Sequence, residues 1–431
     1  MHHPRPNRHC RLLVLTAAMV ATGCEVARHG STTEGPRAES TGGGDATPAS
    51  APQQHHRVVP NARDLEALRA RLHWATGIAE RLPCPPFERD KARVRQSIAE
   101  VALGRGWFDD ARSMARGIEG WRRGETQVAI AKALDAAGRT SEADELVADA
   151  LALDQSSWPD WARARVRAAC ASYRLAKGDD RLAMEILRGP DAALSGGIQV
   201  ARTAVMPAEH LGEQERMFDR AIATMNFDLA RTGIDGQFML LRRWKEQPAD
   251  FDRVLVATTS ALKGLPIDLQ VKYECDLATL LHSVGRRQPA LDALKRGADL
   301  VASTQFLPED VVPVGVTVAR ACAELGLGDD AASRAQALER TYVTLEPSIV
   351  DMKRSTSLRA LAELRAALGD GTDAVALYAR AIDASLANPN SRPRADDLCL
   401  IACSMASAGI APDGRLGLML DNAGTRLGDP W

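Results

Sequence analysis

The chain has 431 residues, with 54 basic and 56 acidic side chains and a formal net charge of −2. That balance leaves no electrostatic footprint for nucleic acid or for an anionic membrane surface. Apolar residues make up 45% of the chain but aromatics only 4%, so alanine and leucine must fill the core, which suits close helix-on-helix packing.

Residues 1–24 read as a targeting segment. Arg5, Arg8 and Arg11 precede an uncharged, largely apolar run from Leu12 to Gly23, too short to span a bilayer. The run ends Val20-Ala-Thr-Gly-Cys24. Residues 25–60 read as a tether. They are rich in Gly, Ser, Thr, Pro and Ala, include Gly42-Gly-Gly44, and carry almost no large aliphatic side chain. Such composition cannot bury enough apolar surface to offset chain entropy, so disorder is expected there.

From Asn61, a plausible N-cap, the run Asp64 to Leu72 is amphipathic at helical spacing. Pro83, Pro85 and Pro86 then break the pattern. Beyond them a motif recurs as Ala-x6-Gly-x4-Ala. Its copies are Ala99, Gly106, Ala111; Ala131, Gly138, Ala143; Ala171, Gly178, Ala183; Ala278, Gly285, Ala290; Ala319, Gly326, Ala331; and Ala362, Gly369, Ala374. A seventh keeps Ala402 and Gly409 but has Gly414 in third place. The glycines are spaced by 32, 40, 107, 41, 43 and 40 residues, a period near 40 that signals a repeat architecture.

Each copy reads as a helical hairpin. The glycine ends a first helix in the left-handed conformation, and Thr140 or Ser141 would cap a second helix in the Gly138 copy. The small residues let the two helices approach closely. Four residues past the third position stand Ala115, Val147, Leu187, Leu294, Ala335 and Tyr378, the buried face of the second helix. Glu142 reads as solvated. Between Gly178 and Gly285, runs at Glu213–Met225, Gln237–Lys245 and Phe251–Leu262 read as degenerate repeats. The last run, to Leu427, is expected to cap the open end of the stack.

This spacing resembles the tetratricopeptide repeat, a helical hairpin of about 34 residues with small residues and a turn glycine at these separations. The family's tryptophan, proline and first-helix aromatic are missing, and most steps here are longer. The resemblance implies an all-α fold over residues 61–431, a right-handed superhelix of roughly eight to ten hairpins. It also implies a groove lined by the first helices, three residues before and one after the first small residue. Those pairs are Gln96 and Glu100, Val128 and Lys132, Ala168 and Ser172, Cys275 and Thr279, Val316 and Arg320, Arg359 and Glu363, Cys399 and Cys403. Lys132, Arg320 and Arg359 are the expected polar anchors. The stretch ending in Cys24 resembles a bacterial lipoprotein signal, with Ala21 where leucine is usual, and implies lipidation of Cys24.

Other chemistry is weakly signalled. Cys399 and Cys403 share a helix face, but no second Cys or His pair stands at metal-ligand spacing, and alanine-rich surroundings favour packed thiols. His73, His210 and His282 have no helical partner, and no phosphate loop, nucleophile elbow or dinucleotide fingerprint occurs. No metal and no cofactor is expected. Trp121 and Trp161 each stand ten residues before a repeat alanine, either covering hairpin junctions or forming an aromatic patch. The expectation is a non-catalytic, exported scaffold anchored to a membrane by its lipid, binding a protein or peptide in the groove. The alternative is an enzyme on an α/α scaffold acting on cell-envelope glycan, marked by a deep pocket holding two facing carboxylates.

Overall fold

The structure, a computed structural model, describes residues 60–431 apart from 154–155, 188–198, 201–202, 204–205 and 225. The expected targeting segment and the expected tether before Pro60, Cys24 included, lie outside the described residues.

The N-terminal arc contains α1 (Ala62–Glu80), α2 (Glu88–Gly104), α3 (Phe108–Arg116), α4 (Trp121–Ala136), α5 (Thr140–Ala152), α6 (Asp160–Ala176) and α7 (Asp180–Ile186). Then come α8 (Leu211–Ile222), α9 (Phe227–Arg243), α10 (Pro248–Leu262), α11 (Ile267–Ser283) and α12 (Arg287–Ser303). The last six are α13 (Pro308–Glu324), α14 (Gly328–Leu345), α15 (Asp351–Ala367), α16 (Gly371–Leu386), α17 (Ser391–Ala408) and α18 (Gly414–Thr425). No strand occurs among the described residues. The fold is all-α, a run of helices each packed on its neighbours.

The hairpin chemistry follows the repeat. Gly106, Gly138, Gly178, Gly285, Gly326, Gly369 and Gly409 all have φ between 74° and 83°, where a Cβ is strained. At each one the next residue's N–H reaches a carbonyl five residues back, as in Arg139 N to Leu134 O at 2.8 Å and Leu327 N to Cys322 O at 2.9 Å. That is the closing bond of a Schellman motif. The repeat alanines from Ala99 to Ala402 are fully buried, as are Ala143, Ala290 and Ala374. Ala115, Val147, Leu187, Leu294, Ala335 and Tyr378 are buried too.

Some local expectations are corrected. Asn61 does cap α1, in a capping box with Asp64, but neither Thr140 nor Ser141 caps α5; the N-cap is Arg139, and Thr140 Oγ1 donates to Asp135 at 2.8 Å. Glu142 is only half-exposed and accepts from both Arg112 and Arg139 at 2.6 Å. The weak run Gln237–Lys245 is the second half of the 17-residue helix α9. Gly236 hides that helix from a pattern search, yet there a Cβ would collide with the Phe218 ring, so the glycine permits the close α8–α9 approach.

Neighbouring first helices pack on each other in the series α2, α4, α6 and again in α11, α13, α15, α17. Second helices pack mainly on first helices, so the first helices occupy the concave side. Equivalent positions meet across neighbours: Lys132 with Ser172, and Arg320 with Glu363. The first helices are therefore parallel and in register.

The stack has no open end at α18. Helix α17 packs on α15 and α16, then on α2 as the next first helix, while α1 lies against α17 as a second helix would. Leu68, Leu72, Ala75 and Ala79 of α1 are fully buried, and Cys399 Sγ donates to Ala75 O at 3.3 Å. Arg93 pairs with Asp396 at 2.9 Å. Arg105 donates to the carbonyls of Ala406 and Ser407 at 2.5 and 2.9 Å, ending α17 from the other side of the seam. Arg71 holds Asp421, and Arg81 donates to the carbonyls of Gly424 and Leu427. The two ends of the repeat array are thus joined by the chain's first described helix. The apolar core runs on through this seam.

Candidate functional site

The inner face is built by one stripe of each first helix. The residue after the repeat alanine faces inward: Glu100, Ser172, Thr279 and Glu363 are half-buried, while Lys132 and Arg320 are exposed. The residue three before it divides. Gln96 and Arg359 are half-buried, but Val128, Ala168, Cys275, Val316 and Cys399 are buried, at 1% to 8% exposure. The expected groove pairs are therefore halved: these five side chains are buried instead of lining a free surface. Cys403 is likewise buried, at 6% exposure, because α17 is covered at the seam.

Two turns before the inward residue stands a further position that the sequence reading passed over, six before the repeat alanine. In five of the seven copies it carries a charge, Arg93, Glu125, Arg165, Lys272 or Asp396, and in the other two Pro313 and Thr356. Seven residues make two helical turns, so both positions share one stripe. Here too, neighbours pair: Glu125 with Arg165, and Asp396 with Arg93.

Around α2, α4 and α6 these groups form a network. Gln96 Nε2 lies 3.0 Å from Glu100 Oε1 and 3.4 Å from Glu125 Oε2, and its carbonyl accepts from Arg122 at 2.5 Å. Burial pushes the Glu100 carboxyl up to about 7, with Glu125 adding to the rise. Trp121 and Trp161 do come together, edge to face at 5.2 Å between ring centroids. The Arg122 and Arg165 guanidiniums lie 4.5 and 5.0 Å from the Trp121 centroid. Trp161 is exposed and Trp121 half-buried, so the pair is both junction and surface.

Of the expected anchors, two are already committed. Arg320 and Arg359 pair with Glu363 at 3.2 and 2.7 Å, and Ser404 donates to the same carboxylate at 2.7 Å. Burial alone would raise Glu363, but the two arginines hold it below its usual range. Lys132 differs. It donates to Ser172 at 3.3 Å and forms no ion pair among the described residues. Though exposed, it is crowded enough that burial lowers its ammonium pKa.

Cys170, Cys275, Cys322, Cys399 and Cys403 are buried, and burial pushes Cys170, Cys275 and Cys403 up to about 12. They are packing thiols, not thiolates. No group of His, Cys, Asp and Glu among the described residues could hold a metal ion. No described helix is long and apolar enough to cross a membrane. No protein-family model, no curated protein and no solved structure matches this chain.

Proposed function

We propose that the chain is a non-catalytic scaffold whose inner face, lined by the first helices, binds a protein or peptide segment. The observation that carries this reading is Lys132, a crowded cation with no carboxylate of its own on an inner face whose other charges are mostly paired. An arriving acidic side chain or C-terminal carboxylate would complete it. The scaffold is exported and anchored in a membrane by a lipid on Cys24, with neither nucleic acid nor metal as partner. The support for that address is the basic start, the apolar run and Gly23-Cys24.

Partner capture from membranes tests the binding. Lys132→Glu, which leaves the Glu363 cluster intact, should lose partners that the wild type retains. An identical partner list would remove the inner face from consideration. A second reading, an enzyme on an α/α scaffold acting on cell-envelope glycan, draws on one observation. Gln96 bridges Glu100 and Glu125, and burial raises Glu100 to about 7, the value wanted of a general acid. Release of reducing ends from purified envelope glycan, abolished by Glu100→Gln, would establish the enzyme in place of the scaffold.

A further inference from the structure

Where the first helices pack parallel and in register, as in α11, α13, α15 and α17, their N-termini share one rim. Eleven large apolar side chains are exposed among the described residues, and seven of them stand at the N-terminus of a first helix: Trp161, Phe227, Leu229, Ile267, Leu307, Val350 and Met352. Each lies at the N-cap or within the first three residues of α6, α9, α11, α13 or α15. Scattered exposed apolar residues need no explanation, but recurrence at the N-terminus of five first helices does. Capping does not supply it, since an apolar side chain satisfies no helix-end N–H.

The same rim is acidic. The first turns of these five helices carry Asp160, Asp228, Asp268, Glu309 with Asp310, and Asp351. Those of α4 and α17 carry none. Asp160 and Asp351 are paired within their own turns, to Arg163 and Arg354. Asp268, Glu309 and Asp310 form no ion pair among the described residues. They are near neighbours across α11 and α13: Asp310 is pushed up by burial and by the charges of Glu309 and Asp268, with Lys353 opposing. Ile267 and Leu307 stand beside them in the chain, and Val350 and Met352 share the turn of Lys353, which acts on Asp310.

We infer that this rim, at its α11–α13–α15 arc, docks a cationic amphipathic segment of a protein partner, its apolar face on Leu307 and Val350 and its lysines or arginines on Asp268, Glu309 and Asp310. Charge complementarity selects this occupant over an anionic lipid surface, which the same carboxylates would repel. The surface is distinct from the inner face, so each reading stands or falls alone.

The test uses the full-length protein and three synthetic peptides: an amphipathic Leu/Lys helix, a Lys/Ser peptide of equal charge, and a Leu/Glu helix. The Leu/Lys peptide should bind, the Leu/Glu peptide should not, and the Lys/Ser peptide should bind at least about tenfold more weakly. Leu307→Gln with Val350→Gln should cost a further tenfold or so without lowering the melting temperature, and Lys132→Glu should change nothing. If that double variant fails to fold, Ile267→Ser with Met352→Ser reads the same surface. Binding that ignores these substitutions, or equal binding of the two lysine peptides, overturns the proposal. So does self-association, or adsorption to zwitterionic vesicles, that the rim variants abolish.

Discussion

Closure of the array through α1 makes Leu72→Ala an informative change. Leu72 is fully buried in the stripe of α1 that meets α17 and α2, one turn from the Ala75 carbonyl that Cys399 contacts. Truncating a leucine at such a site costs about 2–5 kcal/mol, the spread reflecting how far the neighbours collapse into the cavity. At roughly 1.4 kcal/mol per decade, even the lower value raises the population of locally opened seam about thirtyfold. In an open array the loss would stay at the N-terminal end, because each repeat contacts only its neighbours. In this structure the seam includes α17, more than three hundred residues away in sequence. Native-state hydrogen exchange should therefore show faster exchange in α1 and α2 and also in α17 and α18. The intervening α11 and α12 should be little affected. Unchanged protection in α17 would refute closure.

Protonation gives a second handle on stability, and Asp396, paired with Arg93, places part of it at the seam. Burial lifts Glu100 and Asp397 to about 7 and Asp396 to about 6, so between pH 4 and 7 the folded chain holds protons that the unfolded chain has lost. Stability should therefore rise as pH falls from about 8 to about 6, and Glu100→Gln with Asp397→Asn should flatten that slope; a melting temperature that falls over the interval would contradict the burial argument. Gly285→Ala, at φ 79°, should cost about 1–2 kcal/mol in denaturant unfolding, whereas Ala in place of the helical, unhindered Gly77 should be neutral or stabilising. Ala362→Glu, at a fully buried contact between helices, should cost on the order of 1–3 kcal/mol or more through overpacking and an unpaired charge. Cys24→Ser should abolish fatty-acid labelling of the expressed chain, and undiminished label would end the lipoprotein proposal.

The seven turn glycines and their flanking alanines were legible in sequence because their roles are local. A positive φ excludes most side chains, and a close helix contact excludes large ones, whatever the rest of the fold does. The same locality made α8, α9 and α10 hard to read. Gly236 and Phe218 satisfy close packing there by another pairing, so the need was met without the spacing. The inner stripe was half legible: helical periodicity placed Glu100, Lys132 and Glu363 on one face, but only the neighbouring helices decided which of its residues would be covered. Val316 and Cys399 lie between helices, Arg320 and Arg359 are held by Glu363, and Lys132 is left without a carboxylate. The joining of α1 to α17 was not legible at all, because it depends on the summed rotation from hairpin to hairpin. Each hairpin's packing adds a small turn, and no single residue encodes the total that brings Arg93 back to Asp396.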